Sequence, residues 1–167
     1  MRNKIAVLLL IVTVAGPVLA GSLTFSGRAG YYTPSGGSSS LMYGLSATYL
    51  IDSSLSVRAA VDTTNFTIGN VQTSFTPVTV DLIYGQTYAE YIHPYIGAGV
   101  SYNTTTSGGS SSSASGAQIE TGIKFEMGGF TAGVEYRYML ADLRNTNTGS
   151  STINGFATGA FTQTIPF

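Results

Sequence analysis

Apolar and polar residues alternate with a period of two along most of this chain. From Phe130 to Leu140, one face carries Phe130, Ala132, Val134, Tyr136, Tyr138 and Leu140, and the other carries Thr131, Gly133, Glu135, Arg137 and Met139. A helix would scatter both sets around its circumference, so the pattern predicts a strand. The preceding segment repeats it. Ile119, Thr121, Ile123, Phe125 and Met127 alternate with Gln118, Glu120, Gly122, Lys124 and Glu126, and Gly128-Gly129 joins the two segments as a two-residue hairpin turn. Upstream, Leu41, Tyr43, Leu45, Ala47, Tyr49 and Ile51 oppose Met42, Gly44, Ser46, Thr48 and Leu50. After a short turn, Leu55, Val57, Ala59 and Val61 oppose Ser56, Arg58, Ala60 and Asp62. Four more segments complete a set of eight: Leu23 to Tyr32 with Arg28 on its polar face, Val78 to Tyr88 with Asp81, Ile92 to Tyr102, and Ile153 to Phe167.

The connections predict how these strands are joined. Asp52–Ser54, Ala89-Glu90 and Gly128-Gly129 are short, whereas Thr33–Ser40, Asn65–Thr76, Asn103–Gly116 and Ala141–Thr152 are longer and polar. Long and short connections in alternation place all the long ones at one end of an up-and-down meander. The stretches Ser35–Ser40 and Ser107–Gly116 are nearly pure Gly and Ser, with little to bury, and are expected to be mobile loops.

One stretch breaks the period. Ile5 to Val14 is a continuous apolar run preceded by Arg2 and Lys4 and followed by Pro17 and Val18-Leu19-Ala20, the pattern of an export signal cut before Gly21. The run is short for a membrane-spanning helix of roughly 20 residues. The expected organisation is therefore residues 1–20 as a cleaved signal peptide and residues 21–167 as one domain.

Composition decides what the alternation means. Charged residues make up 9% of the chain, against roughly 25% in an average soluble domain. After residue 20 the only lysine is Lys124. So sparse a set of charges is too few to keep a water-facing surface of this size hydrated. The polar face is mostly Gly, Ser, Thr and Ala, which suits the crowded interior of a narrow eight-stranded barrel. The apolar face carries aromatics near the strand ends: Tyr43, Tyr102 and Tyr138 beside the long loops, and Tyr49, Tyr84, Phe125, Phe130 and Phe167 beside the short turns or the terminus. They match the two girdles that membrane barrels place at the lipid–water boundaries. A closed barrel also leaves no strand edge unpaired in hydrocarbon. The fold expected is all-β: an eight-stranded antiparallel up-and-down transmembrane β-barrel. There is no basic patch for nucleic acid, and no cysteine for disulfides or thiolate metal sites.

Two segments carry a family resemblance. Pro94-Tyr95-Ile96-Gly97-Ala98-Gly99-Val100-Ser101-Tyr102 resembles the P-Y-x-G-A-G-x-x-Y strand of small outer-membrane barrels of the OmpA, OmpX and OmpW type. The chain ends in Phe167, with Ile165 and Phe161 at even spacing before it. That ending resembles the signal which such proteins present to the outer-membrane insertion machinery. The resemblance implies residence in the outer membrane of a Gram-negative bacterium after export through the periplasm, with membrane lipids and that machinery as partners. It says nothing of what the surface loops bind.

The candidate chemistry is modest. Arg28, Arg58, Asp62, Asp81, Glu120, Lys124, Glu126, Glu135 and Arg137 all fall on the polar face, and in a narrow interior of low dielectric they must pair. Lys124 and Glu126 are within cross-strand or diagonal reach of Glu135 or Arg137. The expectation is a lumenal ion-pair network that plugs the barrel and holds its register. The rival is a polar conduction path whose pairs rearrange. His93, the only histidine, has no recognisable nucleophile motif beside it and reads as a polar strand-end residue. No spacing suggests a metal site or other cofactor, and no enzyme is expected. The function expected is a structural or surface-interaction barrel presenting four extracellular loops. The alternative is a narrow transporter for small apolar solutes, which would need an apolar interior pocket with a lateral opening. The bulky apolar residues assigned to the interior are few: Met42, Leu50, Ile83 and Met139.

Overall fold

The computed structural model describes residues 22–35, 37–88, 91–127, 130–144 and 150–162; at 127, 130 and 150–162 only the backbone is described. Strands follow one another in chain order: β1 (Leu23–Thr33), β2 (Ser40–Leu50), β3 (Leu55–Ile68), β4 (Val71–Gly85), β5 (Ile92–Ser107), β6 (Ser110–Met127), β7 (Phe130–Leu140) and β8 (Ser150–Thr162). Each pairs antiparallel with its sequence neighbours, and β8 returns to β1, so the sheet closes on itself. The all-β, antiparallel up-and-down arrangement expected from the alternation is the one observed. Among the described residues no helix is long and apolar enough to cross a membrane, which says nothing of strands.

The two faces of the sheet are inverted relative to a water-soluble barrel. On the outside, Leu45, Ile96, Val100 and Ile119 are each more than 60% exposed, and Leu41, Leu82, Val134 and Tyr136 stand beside them. On the inside, Arg28, Arg58, Asp62, Asp81, Glu120, Glu135 and Arg137 are buried. Leu50, expected inside, is instead exposed. It ends β2, where its amide donates to the Ser22 carbonyl.

Two expected loops are strands. Asn65–Thr76 forms the upper parts of β3 and β4, in register from Thr64↔Phe75 to Ile68↔Val71 around a two-residue Gly69-Asn70 turn. Asn103–Gly116 likewise belongs to β5 and β6, paired out to Ser107↔Ser110 around Gly108-Gly109. In Asn103–Gly116 serine and threonine carry no hydrophobic alternation, and in Asn65–Thr76 the apolar Phe66 and Phe75 switch to the inner face, so the period-two signal breaks while the ladder continues. Hydroxyl pairs line these extensions, among them Thr106 with Ser111 at 2.7 Å and Thr73 with Ser107 at 3.1 Å. The turns supply the missing signal. Gly108 (φ 56°) and Gly109 (φ 84°) both lie in the left-handed region that a type I′ turn requires, and Gly69 (φ 61°) alone does so in its turn, as in type II′. Four strands, β3 to β6, therefore rise at this end beyond Thr33, Ser40 and Leu140, where β1, β2 and β7 begin or stop.

At the opposite end Asp52 shapes the β2–β3 turn, its Oδ1 accepting from the amides of Ser54 (2.7 Å) and Leu55 (2.8 Å). Those bonds, the Ser54 bond first, hold its carboxyl below the usual carboxylate range. The expected turns at Ala89-Glu90 and Gly128-Gly129, the signal at residues 1–20, and Ile165 and Phe167 lie outside the described residues.

Two outcomes are expected. Replacing Gly108 and Gly109 together by alanine forces left-handed backbone on L-residues, costing about 1–2 kcal/mol per position; a lower urea midpoint for loss of the folded band is the readout. Asp52→Ala is expected to lower stability near neutral pH. Because the folded-state pKa is depressed, the wild-type advantage exists above the unfolded value near 4 and fades as pH falls through the folded one. Unfolding midpoints of both proteins across pH 2–7 check this.

Candidate functional site

Seven of the nine charged residues expected on the inner face meet in one cluster, three arginines against four acids. Glu135 on β7 is its hub. Its Oε1 accepts from Arg28 (2.9 Å) and Arg137 (2.9 Å), and its Oε2 from Arg58 (2.6 Å) and the Tyr95 hydroxyl (2.7 Å). Arg137 also reaches Glu120 and Asp62, both at 3.3 Å, and Arg28 reaches Asp62 at 3.3 Å. Arg58 pairs with Glu120 and lies 3.8 Å from Asp81. Asp81 accepts further bonds from Gln118 and from Thr79 at 3.1 Å. Every carboxylate thus faces at least one guanidinium, the condition under which charge is tolerated away from water.

The sheet makes room for these groups by a repeated device. The cross-strand neighbour of each of the four acids is a glycine: Asp62 faces Gly44, Asp81 faces Gly99, Glu120 faces Gly97 and Glu135 faces Gly122. A β-carbon on Gly97 would come within 2.6 Å of Glu120 Oε1. On Gly99 it would overlap Asp81 and the carbonyl of Val80, and on Gly44 it would overlap Asp62 and the carbonyl of Val61. At these three positions the missing side chain leaves room for the facing carboxylate, whereas at Gly122 it leaves room for the Tyr95 ring, whose hydroxyl bonds Glu135. In the sequence these glycines read only as small polar-face residues; their register against the acids was the available signal.

Two expected members stand apart. Lys124 faces Gly133, not Glu135, and its ammonium sits 5.1 Å from the centre of the Tyr95 ring, a cation–π contact. Glu126 faces Thr131 and is largely exposed near the turns, with His93 Nε2 3.7 Å away. Both were expected within cross-strand or diagonal reach of Glu135 or Arg137; Lys124 is diagonal to Glu135 in the register, whereas Glu126 is diagonal to neither. The hairpin register pairs Glu120 with Arg137, and the remaining members of the cluster come from β1, β3 and β4. Tyr95, which sequence reasoning passed over as part of a motif, is buried and joins the hub.

Above the cluster, toward the rising strands, lies an apolar layer. Tyr32, Met42, Phe66, Phe75 and Met139 pack together with Ala141 beside them. The Tyr32 ring stacks on Phe75 at 4.9 Å and is tilted against Phe66 at 5.5 Å. Phe66 and Phe75 were hidden in the expected loop Asn65–Thr76; their symmetric placement about Gly69-Asn70 was the clue.

On the outer face, Tyr43, Tyr84, Tyr102, Phe125 and Tyr138 are exposed, and Tyr49 is half-buried. Phe25, Tyr31 and Tyr136 add to the exposed aromatics. The side chains of Phe130 and Phe161 are outside the description, as is Phe167. A shallow apolar groove of about 640 Å³ runs over this face, bordered by Leu82, Tyr84, Ile96, Ala98, Tyr136 and Tyr138. At the turn end His93 Nδ1 lies 3.1 Å from the Thr87 hydroxyl. Among the described residues no group of three or more His, Cys, Asp or Glu could hold a metal ion.

Solved structures match this chain over nearly their whole lengths. Neisserial surface protein A matches with TM-score 0.59 and 21% identity, covering 84% of this chain and 94% of that one. The N-terminal β-barrel domain of Pseudomonas aeruginosa OprF matches with TM-score 0.58 and 17% identity, covering 84% and 99%. The fold is that of the small outer-membrane β-barrels. The P. aeruginosa outer membrane protein OprG agrees, with TM-score 0.58 and 14% identity over 88% and 99%. No family model matches the sequence, and no curated protein does.

Adding a β-carbon tests the acid–glycine device directly. Gly99→Ala is expected to cost about 1–3 kcal/mol through overpacking. Gly27→Ala, where a β-carbon would meet nothing within 4 Å, is expected to be neutral. Urea unfolding of the two variants side by side is the check.

Proposed function

We propose that this chain is an integral outer-membrane β-barrel with a structural or surface-interaction role, non-conducting at rest, that presents its loop end to the outside of the cell. The observation that carries the reading is the inverted distribution of polarity. An exterior of leucine, isoleucine, valine and tyrosine surrounds an interior holding three arginines and four acids. Water would favour the opposite arrangement, and only surrounding lipid makes this one stable. The eight strands then act as the transmembrane segments, and their continuous ladders satisfy the backbone where no water can. In this reading residues 1–20 direct export and are removed, the insertion machinery reads Phe161, Ile165 and Phe167, and the exposed tyrosines contact the lipid boundary.

The reading as a narrow transporter of small apolar solutes is less well supported. The groove found lies on the outer face, and the lumen at the same level is occupied by the charge cluster. An enzymatic role has equally little behind it. His93 has Thr87 and Glu126 as neighbours at the turn end, remote from outer-leaflet chemistry. We read them as a polar strand-end cluster.

Expressing the full chain in a Gram-negative host and running its outer-membrane fraction on SDS gels, heated and unheated, tests the proposal. A band that shifts on boiling is expected. Soluble periplasmic protein with no shift would overturn it. Within the same framework, Arg137→Ala leaves Asp62, Glu120 and Glu135 short of a cation and is expected to cost about 3–5 kcal/mol of barrel stability. Unchanged stability with altered conductance in planar bilayers would instead favour a conduction path.

A further inference from the structure

The charge cluster is not the last barrier across the lumen. On every strand that contributes to both, the apolar layer lies nearer the loop end. Tyr32 follows Arg28 on β1, Phe66 follows Asp62 on β3, Phe75 precedes Asp81 on β4 and Met139 follows Arg137 on β7, while Met42 sits beyond Gly44 on β2. Five large side chains from five strands meet there, each no more than 6% exposed. We propose that this layer is a hydrophobic seal: it is the barrel's permeability barrier on the loop side and keeps external water off the charge cluster.

The physical argument separates it from the cluster itself. Ion pairs can exchange partners, and three arginines facing four acids offer several pairings of similar geometry. A layer of stacked rings and thioether side chains has no such alternative, because an ion crossing it must shed water and gains little in return. Rearranging the pairs therefore opens nothing on the loop side while the rings stay packed. Phe66 and Phe75 belong to the part of the β3–β4 hairpin that rises past Met42↔Thr64, the last β2–β3 pair. At this level β3 has lost its β2 neighbour, while β4 stays paired with β5 at Phe75↔Thr105, so on the Phe66 side the seal depends on side-chain packing more than on the ladder.

The chain has no cysteine, so a single introduced thiol reports on access. Thr64 is fully buried, one inward position beyond Asp62 and one short of Phe66. Thr64→Cys in the purified, folded barrel in detergent is challenged with a small, permanently charged methanethiosulfonate, alone and combined with Phe66→Ala and Phe75→Ala. Ser56→Cys, buried on the turn side of the cluster, serves as control. Labelling of Thr64→Cys is expected to be slow and to rise by roughly tenfold or more once the rings are truncated, because access then no longer needs local opening. Ser56→Cys labelling is expected to stay the same, which a general loosening of the barrel would not allow. Fast labelling of Thr64→Cys with the rings intact would overturn the seal, and so would slow labelling with both rings removed. If the double truncation does not fold, Phe75→Ala alone is read the same way. The assay needs a closed barrel but no membrane, so its failure is distinct from failure of the outer-membrane reading.

Discussion

A charge placed inside a barrel this narrow has no water to turn to, and every other feature of the lumen follows from that constraint. Burying one guanidinium or carboxylate alone costs several kcal/mol even after the protein relaxes. Seven such groups coexist here because each carboxylate contacts at least one arginine and Glu135 contacts all three. Such a cluster cannot be assembled from one hairpin. Arg28 and Glu135 are 107 positions apart and Arg58 and Glu135 are 77 apart, so the contacts exist only once the sheet has closed. The cluster ties β1, β3, β4, β6 and β7 together through their side chains, while the ladders tie only neighbours.

Closure and charge make demands on the wall as well. Wherever an acid turns inward, the strand beside it carries a glycine, since a β-carbon would meet the carboxylate or the neighbouring carbonyl. These glycines sit in ordinary extended backbone, and what they supply is space. The motif strand β5 shows this clearly, its Gly97 and Gly99 serving Glu120 on one side and Asp81 on the other. The glycine spacing of this strand thus has a local steric purpose.

The lumen is layered along its axis. Small hydroxyl residues and Tyr95 with Lys124 lie toward the turns, the charge cluster occupies the middle, and the aromatic and methionine layer lies toward the loops. Each layer suits a different solvent condition. The charge cluster gains strength from low dielectric, and the apolar layer above it helps to create that condition. The rising strands β5 and β6 continue the sheet with serine and threonine on their faces, β3 and β4 end with Ile68 and Val71 exposed, and no charged residue lies between Asn65 and Thr76 or between Asn103 and Gly116.

How much of this was legible depended on the kind of signal. Period-two alternation alone determined that the chain is built of strands, that apolar residues form one face, and that Arg28, Arg58, Asp62, Asp81, Glu120, Glu135 and Arg137 share the other; the short connections made them antiparallel. Those are local properties, because side-chain direction alternates with every residue of an extended chain. Where β5 and β6 became serine and threonine the signal vanished, and where Phe66 and Phe75 turned inward on β3 and β4 it changed face, so all four strands were read too short, although Gly69 and Gly108-Gly109 mark their turns. The tertiary structure alone decided who meets whom. Closing the sheet brings β1 and β3 against β7 across the lumen, so Glu135 finds Arg28, Arg58 and Tyr95, while Lys124 and Glu126 are left nearer the turns. Sequence spacing constrains contacts within a hairpin, but contacts across a closed barrel depend on strand tilt and stagger, which no single segment encodes.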